Sequence, residues 1–365
     1  MGCVRVLVAC VAALALGRAL PAESVWKVEM TATLRFPEEA SSPDGAAVEP
    51  VRGLSGLTWL GGDRWVAVMD NSDRLVRFAL DMSPQAEPTA IRDVRLVPLG
   101  ARHDYEDVAV CPPALAARLG GPSASQSAVA MDPDGGMHLL VCEEDTPAIR
   151  LVRLADGRLV GELPLPDVFR RPRPNRGLEA LAVDRERGHV WTANEEALPA
   201  DGPPAAPGTG TVVRLLRLPV SPAERPLQLA YAVDPPHAFA RLIAGPVLSG
   251  VVALVPLPDG RLLVLERSGG PGLPPFENRI YEVEPAQAPD VSDRDRDLAT
   301  APAVHAGKVL LWRGSLGCNL EGLGLGPPAA NGSRSLVAIS DNDGVGGPAV
   351  VAGFRLTSPS PCSTR

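Results

Sequence analysis

Short apolar runs recur along the chain, bounded by Gly, Asp, Asn and Pro, and few segments carry a 3.6-residue period. Ala114–Leu119 is the exception and predicts one short helix. Five segments share one plan. A polar or acidic residue opens a strand of small apolar residues, a turn follows, and a second apolar strand ends in an acidic residue. These pairs are 53–60 with 64–70, 104–110 with 138–144, 175–183 with 189–196, 248–255 with 261–267, and 319–326 with 335–341. A third run able to pair with the second follows each, from Leu75, Ala148, Val212, Arg279 and Val350. Turns such as Gly61-Gly62-Asp63, Asp134-Gly135-Gly136 and Pro258-Asp259-Gly260 supply the positive φ that tight hairpins need.

The anchor positions Ser55, Glu106, Glu179, Ser249 and Glu321 are separated by 51, 73, 70 and 72 residues. Repeated three-strand units at regular spacing predict radial repetition, an all-β propeller in a single domain. The expectation is six blades, five of them visible as repeats. The sixth would combine 25–36 with strands near 308–312, or the tail would close the ring. The rival architecture is a stacked sandwich or a pair of barrels. Repeats near seventy residues exceed a plain blade, which places Pro- and Gly-rich loops at 200–210, 268–276 and 285–303. The 36 Gly and 39 Pro among 365 residues exclude a helical bundle or coiled coil.

Residues 1–22 stand apart. Arg5 closes a short basic region, 6–16 is apolar, and Ala22 or Ala19 offers a cleavage point, the pattern of a secretory signal peptide. The propeller domain is therefore assigned to 23–365, in an exported protein, periplasmic or secreted. An oxidising compartment permits disulfides among Cys111, Cys142, Cys318 and Cys362. Cys111 and Cys142 each end a strand-like run, which predicts one pair, and Cys318–Cys362 would then staple the tail; free buried thiols are the alternative. A net charge of −8 with scattered basic residues argues against nucleic acid, and no apolar run is long enough for a transmembrane anchor.

In a propeller the first strand of each blade lines the central channel. The anchors Glu106, Glu179 and Glu321 then converge at one mouth. The second strands run antiparallel, so their acidic ends Asp70, Glu143, Glu195, Glu266 and Asp341 return to the same face. Crowded carboxylates cannot all stay ionised without a cation or protons. An all-oxygen donor set outside the cell favours Ca²⁺. The predicted ligands are Glu106, Glu179, Glu321, Asp341, Glu195 and Glu266. Arg176 and Arg267 lie beside these positions and suit a phosphate or carboxylate oxygen. His103, next to Asp104, is a candidate general acid or base. A Glu at a strand start can instead bond backbone amides of the next blade and staple the ring. No P-loop, HExxH, nucleophile elbow or complete EF-hand loop is present; Asp341-Asn342-Asp343-Gly344 lacks its distal Glu.

The succession GLSGLTW, DYEDVAV, CEEDTPAIRLVRL with PLPDVF, NRGLEALAV with ANEEAL, VLERSGG with NRIYEVE, and NLEGLGLGP with ISDND resembles the phytase-like family. That family is described as having esterase-like activity of phytase. The resemblance implies an exported β-propeller that hydrolyses a phosphoester or ester. Two departures stand out: Glu106 is followed by Asp107 where the family has Gly, and the fourth anchor is Ser249 rather than an acid. The reading is a Ca²⁺-dependent hydrolase of a small-molecule phosphate or other ester, with a cation-activated water as the attacking group. The alternatives are a Ca²⁺-stabilised propeller that only binds a ligand or partner, and a lactone hydrolase.

Overall fold

The computed structural model describes residues 26–120, 136–294, 296–298, 304–342 and 348–358. The leader, the end of the Asp341–Gly344 stretch, most of the Asp134-Gly135-Gly136 turn and Cys362 lie outside them. Five antiparallel sheets are arranged as the blades of a propeller. From the channel outward, the first blade comprises Leu54–Gly61, Arg64–Met69, Ser72–Met82 and Pro88–His103, and a small hairpin, Glu39–Ser41 with Val48–Pro50, extends its outer edge. The second comprises Tyr105–Val110, His138–Glu143, Ala148–Arg153 and Leu159–Leu163. Leu178–Asp184, His189–Asn194, Thr211–Pro219 and Leu227–Val233 form the third, and Leu248–Pro256, Leu262–Gly269, Phe276–Val283 and Lys308–Gly314 the fourth. In the fifth, Asn319–Pro328, Arg334–Asp341 and Val350–Thr357 are completed on the outside by Lys27–Arg35 from the start of the chain.

The blade count is five, not six. The strand near 308–312 is the outer edge of the fourth blade, and the N-terminal strand closes the ring by pairing with the tail, Lys27 opposite Thr357 and Arg35 opposite Val350. The expected helix forms at Pro113–Arg118.

Neighbouring blades bury their faces against each other, and each of the five junctions holds its own apolar cluster. Trp65 and Phe78 of the first blade, for example, pack with Val337, Ile339 and Val351 of the fifth. A strand covered on both faces has no polar side to show, so the inner and middle strands read as continuous apolar runs rather than as alternations. No helix among the described residues is long and apolar enough to cross a membrane.

The inner strands approach so closely that some positions admit no side chain. A Cβ at Gly56 would run into the Asp107 backbone of the next blade, and one at Gly322 would come within 2.7 Å of the Ser55 carbonyl oxygen. Asp107 bridges blades. One of its oxygens accepts the Val108 N–H and the other the Leu181 N–H of the third blade, each at 2.7 Å. The stapling role considered for the anchors thus falls to Asp107.

The expected Cys111–Cys142 disulfide does not form; both are free, buried thiols. Asp107 pairs with Cys142, whereas the Cys111 N–H bonds to the His138 carbonyl. The two cysteines end successive strands, and in an antiparallel hairpin successive strand ends lie at opposite ends of the ladder.

Gly56→Ala should lower stability by about 1–3 kcal/mol through overpacking between the first and second blades. Urea unfolding followed by tryptophan fluorescence measures it, and an unchanged midpoint would show that the two inner strands can part at no cost.

Candidate metal centre

A β-bulge sits at the anchor of four inner strands. The pairing ladder passes over Glu106 between Tyr105 and Asp107, over Glu179 between Leu178 and Ala180, and over Glu321 between Leu320 and Gly322. In the first blade it passes over Ser55 and Gly56. A bulged residue is released from the ladder and its side chain is re-aimed. Here all four turn into one cavity of about 210 Å³ at the end of the channel.

The same registers define a second ring of residues, one step past the pairing partner of the residue before each bulge: Asp70, Glu144, Glu195 and Asp341. All four line the cavity as well. In the fourth blade the bulge falls instead at Val252, Ser249 stays in the ladder opposite Ser268, and the blade contributes Arg267. Seven carboxylates and two guanidinium groups, Arg176 and Arg267, thus share the cavity.

Glu106, Glu179, Glu321, Asp341 and Glu195 are brought together as expected. Glu266 is not. It pairs opposite Val251, well inside its strand, and its carboxylate accepts the Tyr231 hydroxyl at 2.7 Å and the Lys308 ammonium at 2.6 Å. His103 also lies outside the cavity lining: it faces Glu143 at 2.8 Å, and Arg150 holds the same carboxylate. Glu143 was the expected member of the acidic set, but the next residue, Glu144, lines the cavity. Adjacent residues of a strand project to opposite faces, so a one-residue slip exchanges one for the other.

Arg267 divides the cavity in two. It donates to Glu195 of the third blade and Glu321 of the fifth, its Nη1 reaches Asn319 Oδ1 at 3.1 Å, and Glu179 lies 3.8 Å away. Arg176, at the rim, pairs with Glu195 at 2.9 Å and Glu196 at 3.7 Å. In the other half the carboxylates approach an arginine only through the 3.8 Å contact of Glu179 with Arg267. Glu106, Glu144 and Glu179 offer oxygens within 4.8 Å of one another, all three buried. Ser55 donates to Glu106 at 3.0 Å, and Glu144 accepts the Gly177 N–H at 3.0 Å. Asp104, unassigned in the sequence reading, joins this half.

The donor set fits a hard divalent cation: carboxylate oxygens only, buried, with Glu321 Oε2 and Asp104 Oδ1 lacking any hydrogen-bond partner. The protonation energetics agree. Burial, reinforced by Asp104, pushes Asp70 up to about 7; burial, reinforced by Glu195, pushes Glu144 up to about 7. Burial raises Glu321 to about 8 despite Arg267, and holds Glu106 and Glu179 well above the usual carboxylate range. Burial opposes the charge of Arg267, but Glu321, Glu195 and Glu179 outweigh it and raise its pKa.

In the cation-free protein these acids hold protons that the unfolded chain has released, so the folded state binds more protons between about pH 4 and pH 8 and stability falls as pH rises through that window. Melting temperatures measured across it with a chelator present should decline as pH rises; a flat or rising profile would contradict this cavity chemistry.

Comparison with solved structures gave distant matches. A streptogramin B lyase shares 9% identity at TM-score 0.33, covering 92% of this chain and 98% of that one. A PQQ-bound aldose sugar dehydrogenase from Streptomyces coelicolor shares 13% at TM-score 0.40, covering 93% and 100%. A Lactobacillus plantarum protein shares 13% at 0.36, covering 91% and 99%. Curated protein sequences gave no match. Residues 49–344, the span that carries both rings of cavity residues, match the family model described as "Phytase-like: Esterase-like activity of phytase", and the chain belongs to that family.

Proposed function

We propose that the protein is an exported, Ca²⁺-dependent hydrolase of phosphate or other esters, working in the acidic cavity at the channel mouth. The observation that carries the reading is the trio Glu106, Glu144 and Glu179, three buried carboxylates within 4.8 Å of one another in a cavity shared with two arginines. Membership of a family named for esterase-like activity supports the reaction class. The N-terminal leader pattern supports export, to a compartment where weak Ca²⁺ sites are filled.

The trio would hold the cation, which when bound supplies Lewis-acid polarisation of the ester oxygen and a water of lowered pKa. The rest falls to the chain. Arg176, partly exposed at the rim, receives an anionic oxygen of the substrate and orients it. Arg267 has both Nη groups engaged by Glu195, Glu321 and Asn319, and its buried Nε alone is left without a partner, so its role is countercharge. It keeps part of the cavity neutralised, so that an anionic substrate is not repelled. Glu321 Oε2, buried and without a hydrogen-bond partner, is the proton acceptor for the attacking water. Its pKa near 8 matches a base working at neutral to mildly alkaline pH.

Chelation should abolish turnover of phosphomonoesters or short acyl esters and lower the melting temperature, with Ca²⁺ restoring both. Glu179→Gln should cost about 100-fold in kcat/KM, ~2.7 kcal/mol of barrier, while the fold is kept. Turnover that survives complete chelation would remove the cation from the reaction. A protein that Ca²⁺ stabilises but that turns over no ester, phosphoester or sugar lactone would be a binding scaffold.

A further inference from the structure

Exposed apolar side chains gather beside the acidic mouth. Of the nine large ones among the described residues, four lie in two touching loops: Phe239, Leu242 and Ile243 in 234–247, and Leu273 in 270–275. Each of the four is between 57% and 71% exposed. Single exposed apolar residues are ordinary, whereas a cluster is not. Both loops stand at the end of the propeller that carries the acidic cavity. Leu248, where the first loop enters the fourth blade, lines that cavity and pairs opposite Gly269, where the second loop begins. The loops are held from beneath by the buried His237. Its Nδ1 and its backbone N–H meet the Ser268 hydroxyl oxygen at 2.7 and 2.8 Å, and its Nε2 meets the Pro274 carbonyl at 3.0 Å. The Gly272 N–H donates to the Ala240 carbonyl at 2.9 Å, and a Cβ at Gly272 would collide with the Phe239 carbonyl. Specific buried contacts thus hold apolar side chains out in solvent.

Local charge narrows the partner. Residues 235–248 and 269–276 contain no acid in a chain that has 43, and the exposed Arg241 stands among the apolar side chains. Side chains more than half exposed protrude, and cannot enclose a small ligand, which needs a concave site. Protruding aliphatic and aromatic groups around a guanidinium suit a lipid surface: the apolar groups enter the acyl boundary and the arginine reaches a headgroup phosphate. We propose that Phe239, Leu242, Ile243 and Leu273 seat the protein on a lipid surface, with Arg241 at the level of the phosphates and the acidic cavity beside the headgroups. The inference goes beyond the proposed hydrolysis and does not depend on it. A net charge of −8 opposes attraction to anionic lipid, so apolar insertion carries the binding and zwitterionic lipid is preferred.

Co-sedimentation with phosphatidylcholine vesicles tests this. The chain from residue 23 is used, because the apolar leader would itself enter lipid, and it keeps every strand of the closed ring. It is expected to sediment with the vesicles and to stay bound at high salt. The double variant Leu242→Gln, Ile243→Gln should weaken vesicle binding at least about tenfold. Its melting temperature should not change, since both side chains are exposed. Leu159→Gln, at an exposed leucine of the second blade, should bind as wild type does. Phe239→Trp should add blue-shifted emission when vesicles are supplied. Wild type that stays in the supernatant, or a double variant that sediments as well as wild type, overturns the proposal. Self-association of the wild type that the double variant abolishes, without vesicle binding, assigns the surface to a second copy and overturns it too. Should the double variant fail to fold, Leu273→Gln on the other loop must weaken vesicle binding, and if it does not the proposal fails.

Discussion

Repulsion among carboxylates at one end of the channel is the constraint to which the rest of the molecule answers. Seven carboxylates line one small cavity with only two arginines beside them. Nothing local in the chain forces such crowding, since the acids come from four blades and are spread over some 270 residues of sequence. The closed ring imposes it. Each blade delivers its residues to the same height, and the apolar junctions between blades leave the inner strands no room to retreat. The burial that stabilises the propeller thus raises the electrostatic energy of its mouth. The protein meets that energy in three ways: protons on raised carboxyls, arginines inserted between them, and a ligand set fit for cations.

The fourth blade shows how the ring is adapted to this load. Four blades have the bulge at the anchor and send an acid or Ser55 inward. In the fourth the bulge is displaced to Val252, the anchor Ser249 remains in the ladder, and Arg267 enters from the second strand. One guanidinium then reaches acids of both flanking blades, Glu195 and Glu321. A symmetric ring of five identical units would have carried still more negative charge. Breaking the repeat at one blade shifts the least compensated charge to the opposite half, where Glu106, Glu144 and Glu179 converge. The departure that looked in the sequence like a missing anchor is thus what separates a neutralised half from a half of crowded carboxylates.

Much of this was legible in the sequence because propeller strands repeat in register. The five strand pairs, their third strands and the convergence of Glu106, Glu179 and Glu321 follow from spacing alone. What failed did so where one residue of register decides a side chain's direction. Glu143 and Glu144 are adjacent acids at a strand end, and only the pairing of Tyr105 with Glu143 shows that Glu144 is the counterpart of Glu195. Glu266 ends an apolar run as the other acids do, yet the displaced bulge leaves it short of the mouth, tied to Tyr231 and Lys308. The sixth blade failed for another reason. Strand-like segments at the two ends of a chain do not say whether they form a new sheet or complete an existing one. Here the pairing of Lys27–Arg35 with Val350–Thr357 completes one.

That closure bears on the site as well as on the fold. The fifth blade supplies Glu321 and Asp341, and its sheet is complete only when the first strand of the domain has paired with the last. Glu321 is also half of the Arg267 cross-link, so joining the chain ends, neutralising one side of the mouth and positioning the acids on the other are coupled events. If the closing strand were lost, the fifth blade would lack its outer strand, Arg267 would lose the anchorage of one of its two principal partners, and Glu195 would be left to share a weakened countercharge. The acidic half would then face more unbalanced charge, while its own ligands on the first, second and third blades remained in place. The charge balance of this mouth and the integrity of a sheet at its far edge are therefore linked through one buried guanidinium.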